Sequence, residues 1–303
     1  MKSMISKLKS HGWGYLFLLP ALLIMVLFNF YPIIWSFIVS FNKTKAIEIK
    51  QAGLFDIPGK FVALDNYMQV LKNDLFIKSI GNTAYFAIIF IPLTLILSLL
   101  LAVYINKKFR GVNFFRTVLF IPYIISVISS SLIFLALFNS ESGFINAVLK
   151  QFNIDGPNWL SNEWLAMPVI AIMSIWRRVG YFMLMYLAGL QNIPTSLYEV
   201  AEIDGATPFQ RFRYIVVPLL SNITIVIFVL LLRDVLTVFQ EVYVMTGGGP
   251  GNSTVTVPFL IYNEAFNYLR YGTAAAMSYI LFMITVVVVI FQNKFTKKKH
   301  STR

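Results

Sequence analysis

The sequence predicts an all-α integral membrane protein with six transmembrane helices, and three observations support this prediction. The mean hydropathy over 303 residues is +0.73, and 58% of the residues are hydrophobic whereas 13% are charged. These values lie outside the range of soluble domains. Uncharged stretches of about 20 residues or more, long enough to cross a bilayer as helices, recur along the chain. Lysine and arginine are concentrated in alternate connections between these stretches.

The predicted spans are the stretches that contain no Asp, Glu, Lys or Arg. The fourth, 179–198, extends back to Leu165, because only Arg177 and Arg178 interrupt the apolar run. The first is expected to be an uncleaved span rather than a signal peptide, since its apolar run is about twice as long as a signal h-region. The other five spans are 12–42, 79–106, 117–140, 214–232 and 271–293.

The distribution of basic residues predicts the orientation. The amino-terminal tail carries Lys2, Lys7 and Lys9, the segment 106–116 carries four basic residues, and the tail after residue 293 carries five. These segments are expected on the cytoplasmic side, so both termini are predicted to be cytoplasmic. The net charge of +12 then reflects this asymmetry and contact with anionic lipid headgroups, so a nucleic-acid partner is not required.

The chain is predicted to form a single transmembrane domain, residues 1–303, without a linker or an internal repeat. Its largest soluble piece is the loop 43–78, which is placed on the extracytoplasmic side although it carries six lysines, because long loops have little weight in the charge rule. The part of this loop that reads LDNYMQVLKNDLFIKSI is compatible with an amphipathic helix lying on the membrane.

Several kinds of active site are disfavoured by the residue types available. The chain has no cysteine, and its two histidines, His11 and His300, lie in the tails. The stretch 53–60, GLFDIPGK, has the wrong spacing for a phosphate-binding loop. The chain is therefore not expected to be an enzyme, to hold a metal or to bind a cofactor itself.

One connection between spans is unusually polar and yet contains apolar residues. Residues 198–220 read YEVAEIDGATPFQRFRYIVVPLL, and the spacing of Gly205 and Pro208 predicts a short helix, a turn and a second helix. Thr195 or Ser196 is expected to cap the first helix. Exposure of the apolar residues of this segment to water would be unfavourable, so we expect another surface to cover them. These residues are Val200, Ala201, Ile203, Ala206 and Phe209.

The same residues resemble a known motif. Glu199-Val200-Ala201, three residues, Gly205, nine residues and then Ile215 to Pro218 is similar to the EAA motif of the membrane subunits of bacterial ABC importers, with Val200 and Val217 departing from the motif's Ala and Leu. Several further stretches resemble the sequences of the carbohydrate-uptake subgroup of this family. Near the motif these are AGLQNIP, IDGATPFQRF and MTGGGPGNST, and elsewhere in the chain they are LLPALLIMVLFNFYPIIWSFIVSF, NTAYFAI and RTVLFIPYIIS.

The resemblance implies a type I ABC importer permease fold in the bacterial plasma membrane. It implies that 191–213 holds the cytoplasmic coupling helix, which docks into a groove of an ATPase subunit. The implied partners are a second permease subunit, two ATPase subunits that hold ATP and magnesium, an extracytoplasmic solute-binding protein and an oligosaccharide. The resemblance implies that Glu199 forms an ion pair with a basic residue of the ATPase subunit. It also implies that Ala201 and Gly205 permit close approach of that subunit, while Ile203 and Phe209 fill its groove. Val200 and Asp204 belong to the same implied surface.

Charged residues midway along the fourth helix and in or at the outer end of the fifth mark a candidate substrate pocket, because a charge near mid-bilayer costs about 2.5–3.5 kcal/mol on insertion scales. Helical spacing predicts that Ser174, Arg177 and Tyr181 share one face of the fourth helix. The fifth helix is predicted to present Asp234, Thr237 and Glu241 together, with Gln240 beside them; the remaining charges are Arg178 and Arg233.

Two interpretations of these charges stay open. The arginines and acids could neutralise each other between helices. Alternatively, three arginines against two acids leave one positive charge. An acidic oligosaccharide, or a sugar or glycerol phosphate, would then be held by Arg177 or Arg178 while Tyr181 stacks on a sugar ring.

Two other classes of protein are weaker alternatives. An ion-coupled secondary transporter would use Asp234 and Glu241 as intramembrane acids, but six spans are few for that class and the coupling motif has no role in it. An intramembrane enzyme would lack any histidine or cysteine in its spans.

Overall fold

The computed structural model describes residues 17–51, 53, 56–107 and 109–300. In this part of the chain, helices predominate and the strands form one short antiparallel hairpin. Four helices are long and apolar enough to cross a membrane, and two bent helix pairs bring the number of spans to six if each pair counts as one. The prediction of an all-α polytopic membrane protein is confirmed.

The chain divides into two compact units. The first unit comprises the described residues up to Lys72 together with Ile261–Phe282. Its first helix follows most of the first predicted span, of which residues 12–16 lie outside the described residues. The elements are α1 (Phe17–Val39), β1 (Asn42–Lys43), α2 (Ala46–Gln51), β2 (Lys60–Phe61) and α3 (Asp65–Leu71).

The second unit comprises Asn73–Leu260 and the described residues from Met283 onward. Its elements are α4 (Asp74–Ile105), α5 (Val112–Ile124), α6 (Val127–Leu137), α7 (Phe144–Gln151), α8 (Ala166–Gln191), α9 (Thr195–Ile203), α10 (Pro208–Leu219), α11 (Ser221–Leu236) and α12 (Gln240–Met245). Two more helices, α13 (Val257–Tyr262) and α14 (Tyr271–His300), include residues of both units. The prediction of one membrane domain over residues 1–303 stays a prediction.

The third span is not the continuous helix that the uncharged run 117–140 predicts. Helices α5 and α6 meet at an angle of 100°, because Ile125 and Ser126 have extended backbone with ψ of 138° and 140°. Pro122 lies in the last turn of α5, where it removes one backbone donor. The fifth span is also bent, by 66° between α10 and α11.

The loop 43–78 also differs from expectation. Its last part forms two helices rather than one amphipathic helix, because α3 ends at Leu71 and α4 begins at Asp74. The side chain of Asn73 enforces the new start, since its Oδ1 accepts from the backbone N–H groups of Leu75 at 2.9 Å and Phe76 at 3.2 Å. The second predicted span therefore begins before Ser79.

Helix α8 is the most buried of the spans and packs against α4 and α5. A Cβ atom at Gly180 would overlap the carbonyl oxygen of Leu119 on α5. Glycine therefore permits the backbones of α5 and α8 to touch at this point. The contact lies next to Arg177 and Arg178, whose side chains reach Ile125 and Tyr123.

Candidate functional site

A cavity of about 290 Å³ lies in the second unit and is lined by four of the five charged residues singled out in the sequence, Arg233 being the exception. We call it the charged cavity. It brings together all of the predicted substrate residues except Tyr181. Its lining consists of Ser174, Arg177, Arg178, Asp234, Thr237, Gln240 and Glu241 together with Phe86, Phe90, Val127, Val238 and Phe239.

One ion pair joins the fourth and fifth spans across this cavity. Nη2 of Arg178 donates to Oδ1 of Asp234 at 3.0 Å, and the two side chains are 27% and 18% exposed. The guanidinium of Arg178 also lies 5.4 Å from the ring centre of Tyr123, within the range of a cation–π contact. Both charges are therefore compensated by neighbours within the protein.

Arg177 is placed differently. It is 6% exposed, and its Nη2 donates to the carbonyl oxygen of Ile125 at 3.0 Å. That carbonyl lies at the break between α5 and α6, where a regular helix would have used it. Among the described residues, Nε of Arg177 is buried without a hydrogen-bond partner. A guanidinium has five N–H donors, so Arg177 retains donors that a ligand oxygen could use.

The charges that line the cavity balance. Arg177 and Arg178 face Asp234 and Glu241, whereas Arg233 is exposed and is not part of the lining. The surplus positive charge that the sequence suggests included Arg233. The surplus therefore does not exist within the charged cavity, and the argument for an anionic cargo loses that support.

The prediction that Asp234, Thr237 and Glu241 share a face of one helix is wrong. Helix α11 ends at Leu236, and Thr237 turns its Oγ1 back to the carbonyl of Arg233 at 3.1 Å. Glu241 lies in the first turn of α12. These residues still line the same cavity, because the break between α11 and α12, residues 237–239, is itself part of the lining.

Tyr181 does not line the charged cavity. Its ring stacks on that of Tyr123, with centroids 4.4 Å apart and an interplanar angle of 9°. The predicted face of α8 therefore holds for Ser174 and Arg177, while the next turn packs on α5. The stacking of Tyr181 on a sugar stays a prediction.

Aromatic residues of the cavity were missed in the sequence. Phe86 and Phe90 stack on each other with centroids 5.1 Å apart, and Phe239 is the N-cap of α12. The i, i+4 spacing of Phe86 and Phe90 places them on one face of α4. That pattern could have identified the pair, but it does not distinguish a cavity wall from lipid contact.

The polar connection forms the predicted helix, turn and helix. Helix α9 ends at Ile203, and Gly205 has a φ of +72°. The N–H of Gly205 donates to the carbonyl of Glu202 at 3.1 Å and that of Ala206 to Ala201 at 2.8 Å, as in a glycine-based helix stop. The predicted cap is wrong, because Pro194 is the N-cap of α9 and makes no side-chain cap bond, while Thr195 is already helical.

The second helix of the connection has a reciprocal cap. Thr207 accepts from the N–H of Gln210 at 3.3 Å, and its own N–H donates to Oε1 of Gln210 at 2.7 Å. An ion pair of 3.3 Å between Glu202 and Arg211 bridges the two helices. The turn is therefore held by bonds on both sides of Gly205.

This segment presents a surface to its surroundings. Ile203 is 85% exposed, Phe209 73% and Val200 57%, while Ala201 is half-buried. The polar members of the predicted coupling set, Glu199 and Asp204, are exposed as well. So much exposed apolar area on a short polar connection is typical of a binding surface.

Comparison with known proteins agrees with this geometry. Residues 94–300 match the family described as the binding-protein-dependent transport system inner membrane component. The chain is 34% identical to the trehalose/maltose transport system permease protein MalF of Thermococcus litoralis, over 91% of each chain. It is 32% identical to the sn-glycerol-3-phosphate transport system permease protein UgpA of Agrobacterium fabrum, over 94% of each chain.

A solved structure shows the same fold. A bacterial ABC transporter involved in the import of the acidic polysaccharide alginate has a chain that superposes with a TM-score of 0.83 and 22% identity, covering 98% of this chain and 99% of that one. The relatives are transport subunits, which supports the prediction that the chain is not itself an enzyme. The chain belongs to the binding-protein-dependent transport system inner membrane components, the multi-pass permease subunits of ABC importers.

Proposed function

We propose that this chain is the membrane permease subunit of an ATP-driven oligosaccharide importer, and that its polar connection is the coupling helix. It would form the translocation path with a second permease subunit. Two ATPase subunits would supply ATP hydrolysis with magnesium, and an extracytoplasmic binding protein would deliver the sugar. Both termini and the connection 191–213 would face the cytoplasm of a bacterial cell.

The exposed apolar side chains around Gly205 carry the coupling proposal. Ile203 and Phe209 lie on the two sides of a turn that is fixed by hydrogen bonds, so they form a preformed knob rather than a mobile loop. Glu199 lies on the first of the two helices and is exposed, so it is available to a basic residue of a partner. A rigid projection of this kind transmits displacement to the spans that flank it.

Charge reversal tests the coupling role. Glu199→Arg should lower sugar-stimulated ATPase activity and uptake in proteoliposomes while leaving the amount of permease in the membrane unchanged. The matched control is Glu141→Arg, the same reversal at an exposed position predicted to lie on the opposite face of the membrane. Equal uptake by both variants would show that Glu199 does not couple.

The charged cavity is proposed as the sugar site. Its charges balance, its aromatic walls are Phe86, Phe90 and Phe239, and Arg177 retains free donors for the oxygens of a ligand. Sugar transport systems are well represented among the relatives, which include a multiple sugar-binding system and a lactose system at 32% identity each. An oligosaccharide with several hydroxyl groups suits such a mixed lining.

A glycerol-phosphate-type cargo, or an acidic oligosaccharide, is the second candidate. The observation that favours it is that Arg177 lines the charged cavity and uses Nη2 for its hydrogen bond to Ile125, since a guanidinium binds carboxylate and phosphate with paired bonds. A panel of maltotriose, lactose, arabinotriose, trigalacturonate and glycerol 3-phosphate should separate the candidates. A neutral sugar that is taken up equally by wild type and Arg177→Gln would exclude the anionic cargo.

A further inference from the structure

We propose that a second, uncharged pocket in this chain is an accessory saccharide subsite, which holds a neutral sugar ring of the chain being transported. The proposal rests on the proposed import of oligosaccharides. The pocket has a volume of about 300 Å³ and lies in the second unit. We call it the neutral pocket. Its lining consists of Leu135, Phe138, Asn139, Ser140, Asn158, Trp159, Leu160, Ser161, Val244, Met245 and Thr246.

The lining has the composition that recognises an uncharged, polyhydroxylated ring. It contains carboxamides, hydroxyls and an indole, and it contains no charged residue, in contrast to the charged cavity. Amides and hydroxyls both donate and accept hydrogen bonds, as sugar hydroxyls do. An aromatic face offers the apolar C–H side of a pyranose a complementary surface.

Trp159 is held in place for such a contact. Its indole N–H donates to Oδ1 of Asn146 at 2.6 Å, and its ring meets that of Phe138 at 85° with centroids 5.6 Å apart. Because its polar atom is already bonded within the protein, the indole presents ring surface rather than a donor to the pocket. An aromatic wall fixed in this way costs little further side-chain entropy on binding.

Asn146 connects the segment at Ser140 with the segment at Pro157 and Trp159 by hydrogen bonds. Besides accepting from Trp159, it donates from Nδ2 to the carbonyls of Ser140 at 2.9 Å and Pro157 at 3.4 Å. A Cβ atom at Gly156 would overlap the Asn146 amide, so the loop can approach only with glycine there. The pocket is therefore preformed by side-chain bonds and not by loop packing alone.

Polar groups are left over for a ligand. Oδ1 of Asn139 accepts from the N–H groups of Glu141 at 3.0 Å and Ser142 at 2.9 Å, which identifies the opposite atom of this amide as the donor nitrogen. Among the described residues, neither that nitrogen nor the side chain of Asn158 has a hydrogen-bond partner. Both belong to the lining, so both can serve a sugar hydroxyl.

The neutral pocket and the charged cavity lie along the same two helices. Helix α6 lines the charged cavity with Val127 and the neutral pocket with Leu135, and α12 does so with Gln240 and Val244. These positions are about 12 Å apart along α6 and about 6 Å apart along α12, at 1.5 Å per residue. The two helices pack against each other. The two sites are therefore close enough for neighbouring rings of one oligosaccharide to occupy them.

Fluorescence tests binding at the neutral pocket directly. In the assembled transporter, every tryptophan of this chain except Trp159 is replaced by phenylalanine, and maltotriose, lactose, trehalose and arabinotriose are added in turn. At least one of them should change the emission saturably, and trigalacturonate should bind less tightly by about tenfold or more. The matched control is a second variant that retains only Trp164, which is 81% exposed and outside the lining. Silence of Trp159 towards all four neutral sugars would overturn the proposal.

Uptake measurements distinguish a failure of the neutral-pocket proposal from a failure of the proposed oligosaccharide import. Asn158→Ala and Trp159→Phe should raise KM about three- to tenfold at unchanged maximal ATPase activity, whereas Trp164→Phe should not. Asn158→Ala removes a side chain without a protein hydrogen bond, so folding should be unaffected. No saccharide uptake by the wild type would refute the oligosaccharide importer itself. Uptake with unchanged KM in both variants would refute only the neutral pocket.

Discussion

Substitution of Gly205 tests whether the proposed coupling role of the turn between α9 and α10 depends on the backbone conformation of this residue. Gly205 has a φ of +72°, and a Cβ atom built there would meet nothing within 4 Å. Gly205→Ala therefore introduces backbone strain without a steric clash within this chain. The left-handed conformation costs a residue with a Cβ about 1–2 kcal/mol. That energy lowers the population of the turn roughly 5- to 30-fold relative to competing conformations.

Three substitutions at Gly205 should differ in how strongly they impair coupling. Alanine and leucine should impair coupling to a similar degree, because the strain arises at the backbone and the space around the Cβ is open. Asparagine should retain most of the activity, since its side chain tolerates the left-handed region. Gly81→Ala is the matched control, because Gly81 is exposed within α4, has open space around it and lacks a positive φ. There alanine should be neutral or stabilising by up to about 1 kcal/mol.

The assay is the ratio of sugar uptake to ATP hydrolysis in proteoliposomes that contain the complete transporter. Gly205→Ala and Gly205→Leu should lower this ratio, and Gly205→Asn and Gly81→Ala should leave it near the wild-type value. Equal ratios for Gly205→Ala and wild type would refute the strain argument. A much greater loss for leucine than for alanine would also refute it, because contact with a partner would then dominate.

Three further predictions follow from other contacts. Arg178→Gln and Asp234→Asn should each lower the thermal stability of the transporter. Because the two side chains form an ion pair at 3.0 Å, the double variant should lose about 1–3 kcal/mol less stability than the sum of the two single losses. Additive losses would contradict this. Glu264 is 5% exposed, and burial raises the pKa of its carboxyl despite the opposing charge of Arg270. Because the pKa of Glu264 is raised in the folded state, the protonated carboxyl favours folding. This contribution to the free energy of unfolding is fully present below the ordinary glutamate pKa of about 4.3, and it is lost as the pH rises through the pKa of the folded state. Glu264→Gln should therefore flatten the decline of melting temperature with rising pH, and an unchanged profile would count against this. Because the chain has no cysteine, Glu199→Cys provides a unique thiol that an impermeant maleimide should label in inside-out vesicles but not in intact cells; labelling of intact cells would reverse the topology.

The sequence predicts local features of this protein better than features that depend on distant contacts. The stop at Gly205 and the restart at Pro208 are encoded by adjacent residues, and the structure places both as expected. The break after Ile124 was missed because the run 117–140 contains no charge and no glycine that marks a turn. The open carbonyl of Ile125 is satisfied by Arg177, a residue 52 positions away. No local pattern reports such a bond.

The residues of the charged cavity illustrate the same limit. Charges inside apolar runs correctly indicated a shared cavity, because isolated charges are costly in the membrane. Their balance could not be counted from the sequence, since whether Arg233 faces the cavity depends on the rotation of α11. The break between Leu236 and Gln240 contains neither proline nor glycine, so the separate helix α12 gives no sequence signal.

The position of the Arg178 ion pair has a consequence for biosynthesis. Asp234 follows Arg178 by 56 residues, so at about 5–20 residues per second the ribosome completes the acid roughly 3–11 s after the arginine. Ile125, the acceptor for Arg177, has by contrast been synthesised before that arginine. The helix that carries both arginines thus leaves the ribosome with one partner present and the other not yet made. We expect its final settling into the bilayer to await the arrival of α11, which makes the order of translation part of the assembly of the transport site.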